Sequence, residues 1–198
     1  MVNDKKDLET EEKIKKTVSD LLFKEGRFNA TTQEIADKAG VNRTLINYYF
    51  RSRDNLFTLV FQDAMHKEHM LRTRLLFSDL PFKEKVEKHI EYSLQKAIEY
   101  PYLQTYLVTR INDTGTYEEY EPNEESRIKF FKEYQEEIKK GTIEDISPVQ
   151  FLLNLSSLIS FPLAVRPLIR MKLNISEEDF DKLISERKEI IMKMLFKK

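Results

Sequence analysis

The chain contains no cysteine, which excludes disulfides, thiolate metal sites and cysteine nucleophiles. Only 4 of its 198 residues are glycine while 34% are charged, a balance that favours long helices over sheets. It also lacks a long apolar run. Met1 to Lys16 is charged and offers no apolar core for a signal peptide. The most apolar segment, Phe151 to Ile169, is interrupted by Asn154, Ser156, Ser157, Ser160, Pro162, Arg166 and Pro167. It falls short of the roughly 18 apolar residues needed to cross a bilayer. A soluble, cytoplasmic protein with no membrane partner is therefore expected.

Catalytic signatures are missing too. There is no glycine-rich phosphate loop, no serine elbow and no two-histidine zinc motif, so no enzyme and no cofactor are expected. His66 and His69, with Met65 and Met70 beside them, lie three apart on a long helix but have no third ligand in evidence; they read as an exposed helix face, with no metal. The acidic cluster of Glu118, Glu119, Glu121, Glu124 and Glu125 reads as a solvated loop.

What is present is an uneven charge. The net charge is −1, yet Lys24 to Arg53 holds six basic residues against three acidic ones, and Tyr117 to Asp145 holds five basic against ten acidic. Distribution, not the sum, governs which partners are attracted. The two halves of the chain face different partners.

Apolar spacing and capping residues predict an all-α protein of about nine helices. Ile14, Val18, Leu21 and Leu22 mark a first helix over about Leu8–Lys24, stopped at Gly26. Thr31-Thr32-Gln33-Glu34 is a capping box that opens a short second helix ending at Gly40. Asn42 caps a third over Arg43–Phe50, and Ser52 a long fourth over about Arg53–Phe77. A fifth carries Val86, Ile90, Leu94 and Ala97, and a sixth runs over Tyr102–Ile111. Asn112–Asn123 is polar and turn-rich, hence a loop. A seventh spans about Pro122–Lys140, an eighth runs from Ser147-Pro148 to about Met171 with bends at Pro162 and Pro167, and Ser176 caps a ninth. The expected domains are 1–53 and 54–198.

The most informative stretch is Thr31 to Phe57. Two short helices separated by Ala39-Gly40-Val41 have the spacing of a helix-turn-helix, with Gly40 where the tight turn needs positive φ. The second begins Asn42-Arg43-Thr44, placing polar side chains at the end that enters a major groove. By spacing alone, a plain αα-hairpin fits as well. Ile35-Ala36, then Ala39-Gly40-Val41-Asn42-Arg43, Ile46-Asn47-Tyr48-Tyr49-Phe50, Ser52-Arg53 and Leu56 resemble the DNA-binding domain of the tetracycline-repressor (TetR) family over about Leu8–Phe61. The C-terminal two-thirds resemble it in helix number and layout only.

The resemblance implies roles. Thr31 and Thr32 bind phosphate, and Gln33 reaches a base or phosphate. Arg43, Thr44 and Leu45 read base edges, with Arg43 suited to a bidentate contact with guanine. Asn47, Tyr48 and Tyr49 clamp the backbone, and Arg53 meets a phosphate. Two positions depart from the family pattern: Arg53 stands where it usually has lysine, and Asn47 where it often has tyrosine. Phe50 and Ile46 read as core.

One such domain touches too few base pairs for specificity, so a homodimer on a palindromic double-stranded operator is expected, with half-sites roughly 34–36 Å apart. In the resembled family the last two helices make the dimer. Here that implies Leu155, Ile159 and Leu163 in one and Leu183, Ile191, Met194 and Leu195 in the other, both helices being apolar beyond a single stripe. The same surplus also suits intrachain core. A pocket for a small hydrophobic or aromatic ligand is expected among the fifth to eighth helices, lined by Tyr102, Tyr106, Phe130, Tyr134, Phe151 and Phe161, with Phe131 nearby. The expectation is a ligand-responsive repressor. Its alternative is a DNA-binding factor of the same fold, controlled by a protein partner or lacking an inducer, and an open cavity would separate the two.

Overall fold

In the computed structural model, residues 2–114 and 121–197 are described, with side chains described from residue 7 and not at 113–114. Ten α-helices and no strand appear among them: α1 Val2–Ser19, α2 Thr32–Ala39, α3 Arg43–Phe50, α4 Arg53–Leu76, α5 Phe82–Glu99, α6 Leu103–Thr114, α7 Glu124–Lys139, α8 Pro148–Ala164, α9 Arg166–Leu173 and α10 Glu177–Leu195. None is long and apolar enough by itself to cross a membrane. α1 runs on through a wider π-helical turn, Asp20–Lys24, whose Leu21, Leu22 and Phe23 are buried.

The predicted caps carry the geometry expected of them. Thr31 Oγ1 accepts from the Glu34 N–H and Glu34 Oε2 accepts from the Thr31 N–H, a complete capping box. Asn42, Ser52, Ser147 and Ser176 each accept a backbone N–H two or three residues on. Several boundaries differ from the sequence reading: α1 begins at Val2 and not at about Leu8, and α7 at Glu124 and not at about Pro122. α6 continues through Asn112 to Thr114, where a loop is expected from Asn112; Gly115, Glu118 and Glu119 lie outside the described residues. The eighth helix is not bent but broken, α8 and α9 meeting at 68°.

That break follows from the two prolines, each of which deprives an upstream carbonyl of its helical N–H. Pro162 leaves the Leu158 carbonyl without its i+4 donor, and Arg187 Nη2 of α10 donates to it at 2.7 Å. Pro167 does the same to Leu163, whose carbonyl accepts from Thr105 Oγ1 of α6 at 3.3 Å. Arg166, 1% exposed, secures the corner: its guanidinium pairs with Glu177 and with Asp181 (2.8 Å) and lies 4.7 Å from the Phe180 ring centroid.

Two cores result. One gathers Ile14, Leu22, Phe23, Ile35, Ile46 and Phe50 from the first three helices and the turn after α1, and it extends into Leu56, Phe61 and Met65 of α4 and Leu103 and Tyr106 of α6. The second gathers the end of α4 with α5, α7, α8 and α10. The N-terminal core therefore reaches past residue 53 and takes α6 as part of its floor.

Candidate nucleic-acid interface

α2 and α3 cross at Ala39-Gly40-Val41. Gly40 closes α2 at φ +61 and ψ +43, its N–H shared between the Ala36 and Asp37 carbonyls, a left-handed conformation that glycine adopts without side-chain cost. α3 is anchored by one face only. Ile46 and Phe50 are buried (0% and 1% exposed), and Leu45 and Tyr49 are half-buried against the same core. Arg43, Thr44, Asn47 and Tyr48 are exposed, Tyr48 at 72%. The i, i+1, i+4, i+5 spacing of those four puts them on one outer stripe that starts at the N-terminal end of the helix. The positive end of the helix dipole favours a phosphate near such an end.

Several of these side chains have partners. Asn42 Oδ1 accepts both the N–H (2.9 Å) and the hydroxyl (2.7 Å) of Thr44, which fixes the entry to α3. The Tyr49 hydroxyl donates to Asp7 Oδ1 at 3.0 Å; burial first, and Asp7 second, raise its pKa above the ordinary phenol value, so it stays a donor. Gln33 Nε2 donates to Asp37 at 2.7 Å. Arg53 places Nε and Nη2 on Asp54 Oδ1 (3.0 and 2.9 Å) with its guanidinium 5.4 Å from the Phe57 ring. An exposed ion pair of this sort is worth less than about 1 kcal/mol, so a phosphate can take the guanidinium from Asp54 at little cost. Arg27 is similarly bound to Glu34, and Lys38 to Glu25. Among the described side chains of the basic stretch, Arg43 and Arg51 have no ion pair.

Residues 19–60 match the family model of the bacterial regulatory proteins of the tetR family. This is a TetR-type N-terminal domain.

The match spans α2, α3 and the start of α4, the elements that present the exposed stripe. The likeness extends to whole solved structures. A TetR family transcription regulator from Marinobacter aquaeolei is 11% identical with a TM-score of 0.59, covering 100% of both chains. One from Haloarcula marismortui is 13% identical (TM-score 0.58, 96% and 99% covered). HlyIIR, a hemolysin II transcriptional regulator, is 19% identical (TM-score 0.53, 97% and 99% covered). At such identities the structures share a fold. No curated protein sequence matches the chain.

Behind the TetR-type domain, a cavity of about 410 Å³ opens between α4, α5, α7 and α8, with Glu121 and Pro122 at its side. It is not where the aromatic pattern puts it. None of Tyr102, Tyr106, Phe130, Tyr134, Phe151 and Phe161 lines it; of the aromatics named from sequence only Phe131 does. Phe130, Tyr134 and Phe151 (1%, 0% and 1% exposed) pack with Phe82 and Phe196 at ring distances of 5.1–6.4 Å, a closed aromatic core. Tyr106 belongs to the N-terminal core, between Phe23, Phe28 and Phe61. Phe161 is 63% exposed on the outer surface. Aromatic spacing marks burial, and a dense core satisfies it better than a cavity.

The cavity walls instead carry polar groups that no sequence motif links: His69, Arg72, His89, Ser93 and Arg127 beside Leu76, Leu155 and Ile159. His66 stays exposed, but its neighbour His69 turns to the cavity and is half-buried, so the two do not form one exposed face. Burial pulls the pKa of His89 down to about 4, and its neutral ring donates from Nδ1 to the Arg72 carbonyl at 3.1 Å.

The proposed pairing residues divide. Leu155, Ile159, Leu163, Ile191 and Leu195 are 0–7% exposed within the chain's own second core. Leu183 (45%) and Met194 (66%) face outward, and with Ile190 (45%) they form a stripe along α10; Val149 (70%) and Leu153 (56%) do so on α8. The apolar surplus seen in the sequence therefore serves both readings, split residue by residue.

Proposed function

We propose that the chain is a ligand-responsive transcriptional regulator, acting as a repressor that holds a palindromic operator as a homodimer. The observation that carries this reading is the outer stripe of α3, a free Arg43 beside Thr44, Asn47 and Tyr48 on a helix whose other face is locked into a TetR-type core. Arg43 and Thr44 read base edges, with Leu45, half-buried, adding an apolar edge. Thr31, Thr32, Gln33, Asn47, Tyr48, Tyr49 and Arg53 grip the flanking phosphates. The exposed apolar stripes of α8 and α10 pair with their copies, as the solvent-facing Leu183, Ile190 and Met194 favour.

A small-molecule effector, in preference to a protein partner, is supported by the cavity: its 410 Å³ lies within the roughly 300–1,000 Å³ of small-molecule sites. A ligand acts there only by favouring a domain arrangement whose half-site spacing misfits the operator. The lever is α4, which contributes to both cores.

The test is a gel shift with the DNA flanking the protein's own gene, with and without hydrophobic ligands, on the wild type and on Arg43→Ala. The expectation is a retarded band that the ligand releases, and binding by Arg43→Ala that is weaker by roughly tenfold or more with relaxed base preference. Unchanged affinity in Arg43→Ala refutes the groove assignment.

A further inference from the structure

The described side chains around the cavity carry more positive than negative charge. Arg72 of α4 has its Nε buried with no hydrogen-bond partner. Arg127 of α7 also lines the cavity, and among the described residues neither guanidinium forms an ion pair. Glu121, the one acid among the described lining residues, is exposed and bonds to neither of them. A guanidinium nitrogen buried without an acceptor is costly, and an acid placed beside it removes that cost. Arg166, by contrast, has Glu177 and Asp181, and Arg170 has Glu177. At the cavity no ion pair from a described residue reaches Arg72 or Arg127.

We propose that the cavity takes an anionic amphiphile, its carboxylate or equivalent acid held by Arg72 and Arg127 and its hydrocarbon or aromatic body laid against Leu76, Phe77, Phe131, Leu152, Leu155 and Ile159. This rests on the reading of the cavity as the effector site. Guanidinium donors form paired, charge-assisted hydrogen bonds with an acid head group that a hydroxyl cannot match. The neutral His89 adds no charge. With Nδ1–H donated to the Arg72 carbonyl, it braces the backbone of the residue that meets the ligand. Ser93 is likewise engaged, its hydroxyl donating to the His89 carbonyl at 2.8 Å. The selectivity for charge therefore falls to the two arginines.

Arg72 also gives the site a route to the DNA-binding end. Together with Ser93, Ile159 and Ser160 it lines a narrow crevice that continues from the cavity to Tyr100 and Leu103. Leu103 is part of the N-terminal core. An acid that engages Arg72 pulls on α4 where the two cores meet.

The experiment is calorimetric titration of the full-length protein with octanoate, octan-1-ol and octylammonium, repeated on Arg72→Gln and Arg127→Gln. Octanoate is expected to bind roughly tenfold or more tightly than octanol, and either glutamine variant to lose that preference while still binding octanol. If Arg72→Gln fails to fold by circular dichroism, Arg127→Gln, on an exposed position, makes the same comparison. Equal binding of octanoate and octanol, or tighter binding of octylammonium, overturns the anionic ligand and leaves a cavity for neutral or cationic molecules. Binding of none of the three overturns the cavity as an effector site and this inference with it.

Discussion

The ring of Tyr102 occupies the space that a side chain on Gly26 would need: a Cβ there would stand 2.9 Å from Tyr102 Cδ1. Gly26 ends the first helical segment at φ +66, and the Tyr102 N–H donates to the Phe23 carbonyl at 2.9 Å, so the start of α6 is sewn to the N-terminal domain. On its far side the Tyr102 hydroxyl donates to Glu177 at 2.7 Å, which is also the partner of Arg166 and Arg170. One residue thus joins the N-terminal domain to the corner between α9 and α10. Gly26→Ala adds a methyl to a ring that cannot swing away and a left-handed backbone that costs roughly 1–2 kcal/mol. The melting temperature is expected to fall by roughly 2–8 °C. An unchanged melting temperature in calorimetry removes the close approach.

Arg187 is expected to matter for stability through a carbonyl and not through an ion pair. Its Nη2 supplies the Leu158 carbonyl with the hydrogen bond that Pro162 cannot give. Arg187→Leu strands that carbonyl and should cost about 1–3 kcal/mol in urea unfolding. In a Pro162→Ala background the helix regains its own N–H donor, and the cost of Arg187→Leu should shrink. An identical cost in both backgrounds assigns Arg187 some other role.

Much of this fold was legible because its signals are local. The capping box at Thr31–Glu34, the caps at Asn42, Ser52, Ser147 and Ser176, and the turn at Gly40 each act within a few residues, and each appears as the sequence implies. Helical period also identified the buried Ile46 and Phe50, which leaves Arg43, Asn47 and Tyr48 outward. Non-local questions went otherwise. Whether Ile191 or Ile190 meets solvent depends on how α10 is rotated against α5 and α8, and adjacent apolar residues on a helix do not encode that. The cavity escaped notice because its distinctive residues, Arg72, His89 and Arg127, come from three helices distant in sequence and have no motif. Pairings such as Arg53 with Asp54 and Tyr49 with Asp7 depend on rotamers, which a sequence does not display.

The capping box should give α2 a measurable dependence on pH. Hydrogen bonds from Thr31, backbone first and hydroxyl second, with Arg27 adding its charge, hold the Glu34 carboxyl below its ordinary value of 4.5. A carboxyl with a lowered folded-state value stabilises the fold above the unfolded value and loses that contribution as pH falls through the folded one. Wild-type melting temperature should therefore decline below about pH 4.5 more steeply than that of Glu34→Gln, which keeps an acceptor for the Thr31 N–H but has no proton to gain. Parallel profiles from pH 7 to 3 for the two proteins remove Glu34 from the acid response.

Self-association can be tested by setting two residues three apart on α10 against each other. Ile191 is fully buried in the chain's own core, while Met194 is 66% exposed on the stripe with Leu183 and Ile190. Ile191→Glu buries an unpaired charge, which costs several kcal/mol, so it should unfold the chain and report nothing about pairing. Met194→Glu leaves the core intact and puts like charges on both sides of a two-fold interface. It should sediment as a folded monomer at concentrations where the wild type is a dimer, and it should lose operator affinity because the second half-site is no longer held. A Met194→Glu protein that remains dimeric would move the pairing surface off this face of α10, leaving the exposed Val149 and Leu153 of α8 as the next positions to charge.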